Sequence, residues 1–414
     1  MRSLRALVGA FLLGLLAAPA LAGDIVVEAD LLHTEGPRGT LEDGVVLVRD
    51  GRIAEVGSRG RVEIPPDATR LWAAVVTPGL IDTHSVAGLA GLYNVPADQD
   101  VNEATGPNQA ALRAIDGFNP REPLLRWLLE HGVTVVQSGP GEANPIGGQA
   151  GIFKTHGESV AEMTLRFPSA LVMTLGEPPK ATYGAKKQRP STRMGTAAVI
   201  RSALGEAQEY ARKRDAPAKQ DAEPPPRDLG KEALALALAR RIPVIATARR
   251  EDDIGTALRI AEEFDLDLQL ADAVEAYLAA DRIAEAGVPV HVGPVMERIG
   301  SLETMNLTLE NAAILAGRGI PITFQSGFEG YVPRTHVVLF EAAVAGAWGL
   351  GFERALSALT LDAAQRLGID DRVGSLEPGK HADLVLFDGD PFEYTTHIQA
   401  VLVDGEIVHQ RPTQ

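Results

Sequence analysis

The period of the hydrophobic pattern changes along the chain, and the changes divide it into parts. Residues 24 to 74 carry short alternating apolar and polar runs broken by turn residues, as in "GVVLVRDGRIAEVG", where Asp50-Gly51 is a hairpin signal. The same pattern returns at the far end in "HADLVLFDGDP" and "IQAVLVDGEIVHQ", with Asp404-Gly405 between two apolar runs. Two β-rich segments that flank everything else are expected to pair into one small composite β-sandwich, because chain ends often lie close together at a domain surface.

Between them, eight short apolar runs read as buried strands: Val75–His84, Val133–Ser138, Gly151–His156, Ala170–Leu175, Pro243–Ala248, Asp267–Asp272, Pro289–Pro294 and Pro321–Ser326. Most lead into stretches such as "DDIGTALRIAEEFD" and "AVEAYLAADRIAEAG", whose apolar residues recur at three- and four-residue steps. This alternation predicts an α/β fold with a parallel sheet covered by helices, and eight strands predict a closed (β/α)₈ TIM-like barrel. An open doubly wound sheet is the alternative. Dinucleotide binding there would need a Gly-rich phosphate turn, and "IGGQ" at Ile146–Gln149 is not one. The charged, proline-rich segment from Tyr210 to Ala233 breaks the rhythm and reads as a solvated loop.

Composition adds a large core and a destination. The chain has 414 residues and 45% hydrophobic content, enough for one large α/β domain with an appendage. Its opening, "MRSLRALVGAFLLGLLAAPALAG", joins Arg2 and Arg5 to an apolar run and to small residues at Ala20 and Ala22, the pattern of a cleaved secretory signal. Cleavage is expected after Ala22, giving a periplasmic or secreted protein. The run from Ala6 to Leu16 is short of the roughly 20 residues that span a bilayer, so no membrane span is expected after cleavage. With no cysteine, the exported chain must fold without disulfides. Removing Arg2 and Arg5 takes the formal charge from −16 to −18, which argues against nucleic acid as a partner. The expected domains are a signal peptide at 1–22, a composite sandwich from 23–74 and 366–414, and a barrel over 75–365.

These residues carry a family likeness. "TPGLIDTH" closing a first strand, "GSLEPGKHADLVLFDGDP" near the end, and "NPIGGQ", "KTHG", "TLGEPPK" and "PSTRMG" between them resemble the amidohydrolase superfamily. The resemblance is specifically to its imidazolonepropionase-like and dipeptidase-like exported branch. The resemblance implies a metal at the carboxy-terminal mouth of the barrel that activates a water and polarises a scissile C–N carbonyl. It also implies the ligands: a His-x-His pair after strand one, a histidine after each of strands five and six, and an aspartate after strand eight.

Laid onto this chain, four of those five positions have changed. Strand one offers His84 but Val86; strand five offers Thr247, with Arg249 two residues on; strand six offers Asp272; strand eight offers Ser326. A permanently protonated arginine repels a cation. The mouth candidates are therefore His84, Lys154, Thr247, Arg249, Asp272 and Ser326, and the residual metal ligands His84 and Asp272. Asp98, Asp100 or Lys154 could approach a rebuilt carboxylate site, although Lys154 reads better as a charge paired within the mouth. Ser326 is a conceivable nucleophile, but it lacks a G-x-S-x-G turn, and His336 follows a loop of unknown path. His33, His131, His156, His291, His381 and His397 are assigned structural roles. The sequence thus predicts an amidohydrolase-like protein that is catalytically silent or impaired; the alternative is an active hydrolase of C–N bonds with a rebuilt site. No cofactor is expected, and zinc or another divalent metal enters only if the family activity survives. The expected partners are a small molecule in the mouth and a second copy or a related amidohydrolase, held by a patch outside the mouth on barrel helices and sandwich.

Overall fold

The computed structural model describes residues 23–93, 95–215, 225–297, 299–327 and 337–412. The expected signal at 1–22 and His336 lie outside these residues. Among them no helix is long and apolar enough to cross a membrane. Strands β1 (Ile25–His33), β2 (Thr40–Arg49), β3 (Arg52–Ser58) and β4 (Thr69–Pro78) come first. They are followed by β5 (Leu80–Ser85), β6 (Val133–Ser138), β7 (Ile146–Lys154), β8 (Thr164–Thr174), β9 (Val244–Thr247), β10 (Leu268–Asp272), β11 (Val290–Val292) and β12 (Ile322–Phe324). The chain closes with β13 (Leu384–Phe387), β14 (Ile398–Val403) and β15 (Glu406–Gln410).

The two ends of the chain share one seven-stranded sheet in the order β15-β14-β13-β4-β1-β2-β3, as the sequence predicts. Alternation sorts its side chains. Ile25, Val27, Ala29, Val46 and Val48 join one core with Leu384, Leu386 and Leu402, while Val26, Val45 and Leu47 join another with Val62. The sheet curls back on itself: Ile53 N donates to Lys380 O at 2.9 Å and Arg52 bridges His381. At that seam the hairpin turns Asp50-Gly51 and Asp404-Gly405 meet. A Cβ on Gly51, at φ 76°, would stand 2.7 Å from Asp404 O.

The second sheet has eight strands in the order β5 to β12 and is nearly closed. Gly327 N donates to His84 O at 3.1 Å, linking the end of the last strand to the end of the first. Helices such as Glu251–Phe264 and Phe352–Leu359 cover it, and a buried cluster of Ala150, Ala170, Val172, Ile245 and Ala271 fills part of it. Below the mouth His291 is satisfied on both sides, by Gln269 Oε1 at 2.8 Å and by Thr83 and Thr323 at 2.9 and 2.8 Å. Its structural assignment holds.

Two details differ from the sequence reading. The run Val75–His84 is not one strand. Its first half ends β4 in the composite sheet, which therefore continues to Pro78 rather than stopping at residue 74, and the barrel begins at Leu80. The step falls at Gly79, where a Cβ would lie 2.2 Å from Thr134 Oγ1, so only glycine lets the backbone pass from one sheet to the other. The barrel is also not wholly parallel. β7 begins at Ile146 and runs antiparallel to both β6 and β8. Residues 139–145 between β6 and β7 are too few for a parallel crossover, which needs a dozen or more, but suffice for a hairpin.

Candidate active site at the barrel mouth

Parallel strands bring their carboxyl ends to one rim, and the sequence-derived positions His84, Thr247, Asp272 and Ser326 collect there. Two polar clusters form from them. In the first, the buried Asp82 carboxylate accepts Ser326 Oγ at 2.5 Å, Ser326 N at 3.0 Å and His84 N at 3.3 Å. Ser85 Oγ lies 3.0 Å from the same hydroxyl. Burial pushes Asp82 up to about 7, against the hydrogen bonds from Ser326 that favour its charge.

The second cluster centres on Arg249. Its guanidinium forks onto Glu142, with Nη1 at 2.8 Å and Nη2 at 2.7 Å from the two carboxylate oxygens. Nη2 also lies 2.6 Å from Asp272 Oδ2, an ion pair whose angle falls outside hydrogen-bond geometry. Asp272 Oδ1 accepts Gln325 Nε2, which also donates to Gly293 O at 2.7 Å. Burial opposes the arginine's charge, but the Asp272 and Glu142 carboxylates outweigh it and raise its pKa. Burial pushes Asp272 upward in turn, with Arg249 opposing. The turn that presents this carboxylate is strained: Asp272 and Ala273 hold φ of 61° and 45°, a region that non-glycine residues rarely visit.

His84 is fully buried, and desolvation lowers it to about 3, so its ring is neutral at ordinary pH. Thr247 is buried, and its hydroxyl, like those of Ser138 and Thr174 at the ends of β6 and β8, has no hydrogen-bond partner. Val86 packs with Leu89, Ala90, Val101 and Ala114 in an apolar cluster. Asp98 is occupied with its own turn, accepting Tyr93 N and Val95 N at 2.9 Å each. Asp100 is exposed.

Lys154 is not in the mouth. Because β7 runs antiparallel, its last residue lies opposite Val135 near the start of β6, at the far end of the barrel. There the ammonium contacts Asp383 at 2.6 and 2.7 Å and Asp404 at 3.1 Å, joining barrel to composite sheet. Asp82, Glu142 and Gln325, which complete the mouth, were not among the sequence candidates. Asp82 stands in the quoted "TPGLIDTH" and was readable from it, whereas Glu142 lies in an irregular loop with no periodic signal.

These residues do not fit the metal that such a barrel implies. A catalytic zinc takes about three protein ligands of nitrogen, sulfur or carboxylate type. Here Asp272 is engaged by Arg249 and Gln325, the fixed positive charge of Arg249 lies beside it, and valine, threonine and serine hold three of the remaining positions.

An eight-stranded barrel joined to a two-ended β domain is the architecture this chain shares with known proteins. The model of the amidohydrolase family (Amidohydro_3) matches residues 334–409. An amidohydrolase from Thermotoga maritima is 37% identical, with a TM-score of 0.87 over 94% of this chain and 100% of that one. Imidazolonepropionase of Solibacter usitatus is 26% identical over 90% of this chain and 92% of its own length. Amidohydrolase tasK of Hapsidospora irregularis is 29% identical over 87% of this chain, which spans 39% of that longer protein. The chain belongs to the amidohydrolase superfamily, in its imidazolonepropionase-like branch.

Proposed function

We propose that this chain is a catalytically silent amidohydrolase that serves as a subunit, either with a second copy or beside an active relative. The observation that carries the reading is the Glu142–Arg249–Asp272 ion cluster, which places a buried, permanently charged guanidinium among the strand ends where hydrolysis of C–N bonds would need a metal.

Turnover tests the reading. The purified chain, supplied with zinc or manganese, should hydrolyse neither imidazolonepropionate nor a panel of dipeptides and N-acyl amino acids above a heat-treated control. The Ser326–Asp82 contact is the observation that favours the competing reading of a rebuilt, metal-free site. Turnover lost on Ser326→Ala would establish that reading, and metal-dependent turnover lost on His84→Ala would show the family chemistry to survive. Either result overturns silence.

A further inference from the structure

The seam between composite sheet and barrel carries a second cluster, which shares no residue with the mouth. β1 ends at His33, and Thr34 pins the turn that follows: its amide and its hydroxyl donate to Gly39 O at 3.2 and 2.7 Å. Within that turn Glu35 adopts a left-handed conformation at φ 52°. Across the seam Glu353 stands in the first turn of the helix Phe352–Leu359, whose Phe352 ring lies 5.1 Å from the His33 ring. A ring nitrogen of His33 and one carboxylate oxygen from each of Glu35 and Glu353 lie within 4.8 Å of one another.

His33 is the informative member. It is 3% exposed, its Nδ1 lies 3.0 Å from Thr40 Oγ1, and its Nε2 is enclosed with no hydrogen-bond partner. With the Nδ1 proton given to Thr40, Nε2 presents a lone pair, the way a partner on one ring nitrogen fixes the tautomer that ligates through the other. The surroundings are negative: Asp390 acts on His33, and Glu353 and Asp362 act on Glu35. A cation between these groups would remove the carboxylate repulsion and satisfy the enclosed nitrogen together.

We propose that His33, Glu35 and Glu353 form a site for a divalent transition-metal ion that joins the composite sheet to a barrel helix. One imidazole with two carboxylates suits an ion of the zinc or manganese class, whereas calcium takes six to eight oxygens. Bonds of about 2.0–2.2 Å place tetrahedral ligands roughly 3.4 Å apart, so the ion draws the three groups inward, and the exposed Glu353 supplies the movement. Three protein ligands leave a coordination position for water.

Calorimetry with zinc chloride on the purified chain, stripped by chelator, tests the site. The expected result is a one-to-one isotherm that is unchanged in His84→Ala and weakened at least tenfold in His33→Ala and in Glu353→Gln. The exposed Glu353 keeps the test open should His33→Ala fail to fold. Zinc should also raise the thermal midpoint of the unaltered chain and leave that of Glu353→Gln in place. Absence of binding, or binding indifferent to Glu353→Gln, overturns the proposal.

Discussion

Lys154 and Asp383 are 229 residues apart in sequence and 2.6 Å apart in space, with both side chains buried. The pair ties the antiparallel third strand of the barrel to the strand that re-enters the composite sheet. Removing one partner strands the other charge in the interior, at a cost of about 3–5 kcal/mol. Lys154→Met should lower the urea midpoint accordingly, and Lys154→Met combined with Asp383→Leu should recover most of the loss, since no unpaired buried charge then remains. A double variant no better than the single one would show that the hydrogen bond from Asp404 N to Asp383 matters more than the ion pair.

Arg249 holds two carboxylates from different strand-end loops, so the expected effect of Arg249→Gln is a loss of about 3 kcal/mol in urea unfolding. Arg249→Lys should recover little of it, because one ammonium cannot reproduce the fork onto Glu142 while meeting Asp272. Full stability in the lysine variant would contradict the geometry.

Asp82 gives a pH dependence with a definite sign. Its folded pKa, about 7, lies above the ordinary carboxyl value, so the folded state holds a proton that the unfolded chain releases. Stability from this group therefore falls as pH rises from about 4 to about 7, by roughly 1.4 kcal/mol per unit, and is level above. His84 acts oppositely, because its folded value of about 3 makes protonation favour the unfolded chain as pH falls below about 6.5. Asp82→Asn removes only the first effect. Its stability relative to the parent should rise between pH 5 and pH 8, and a constant difference in urea unfolding would refute the assignment.

A groove of about 820 Å³ lies between the barrel helix Val338–Ala345 and the composite domain, and the half-exposed Phe340 and Trp348 and the exposed Tyr394 line it. It sits on the kind of surface, helices and sandwich, where the subunit reading requires a contact. Light scattering should give at least a dimer for the parent chain and a monomer for Phe340→Glu combined with Trp348→Lys. A parent chain that is strictly monomeric and co-purifies with no related amidohydrolase would defeat that reading.

Strand positions were legible because buried strands are continuous apolar runs, and the two-ended sheet because its alternation and Asp-Gly turns repeat at both ends. Strand direction was not, since an apolar run reads alike both ways. The short, helix-free connection from residue 139 to 145 was the available sign that β7 is antiparallel, and it is what moves Lys154 to the far end of the barrel. Thr247, Arg249, Asp272 and Ser326 were found at the mouth because they follow strand ends. Glu142 was not, because a loop carboxylate becomes a guanidinium partner only through the path of its loop.

The composite sheet sets an order of events during synthesis. β4 receives its neighbour β13 only after the whole barrel has left the ribosome, because residues 384–387 pair with residues 75–78. Until then residues 75–78 of β4 present an unpaired edge of the kind that recruits other chains. A chain that stops before Leu384 lacks the strand that covers residues 75–78 of β4, so that edge stays open as a template for pairing with other chains.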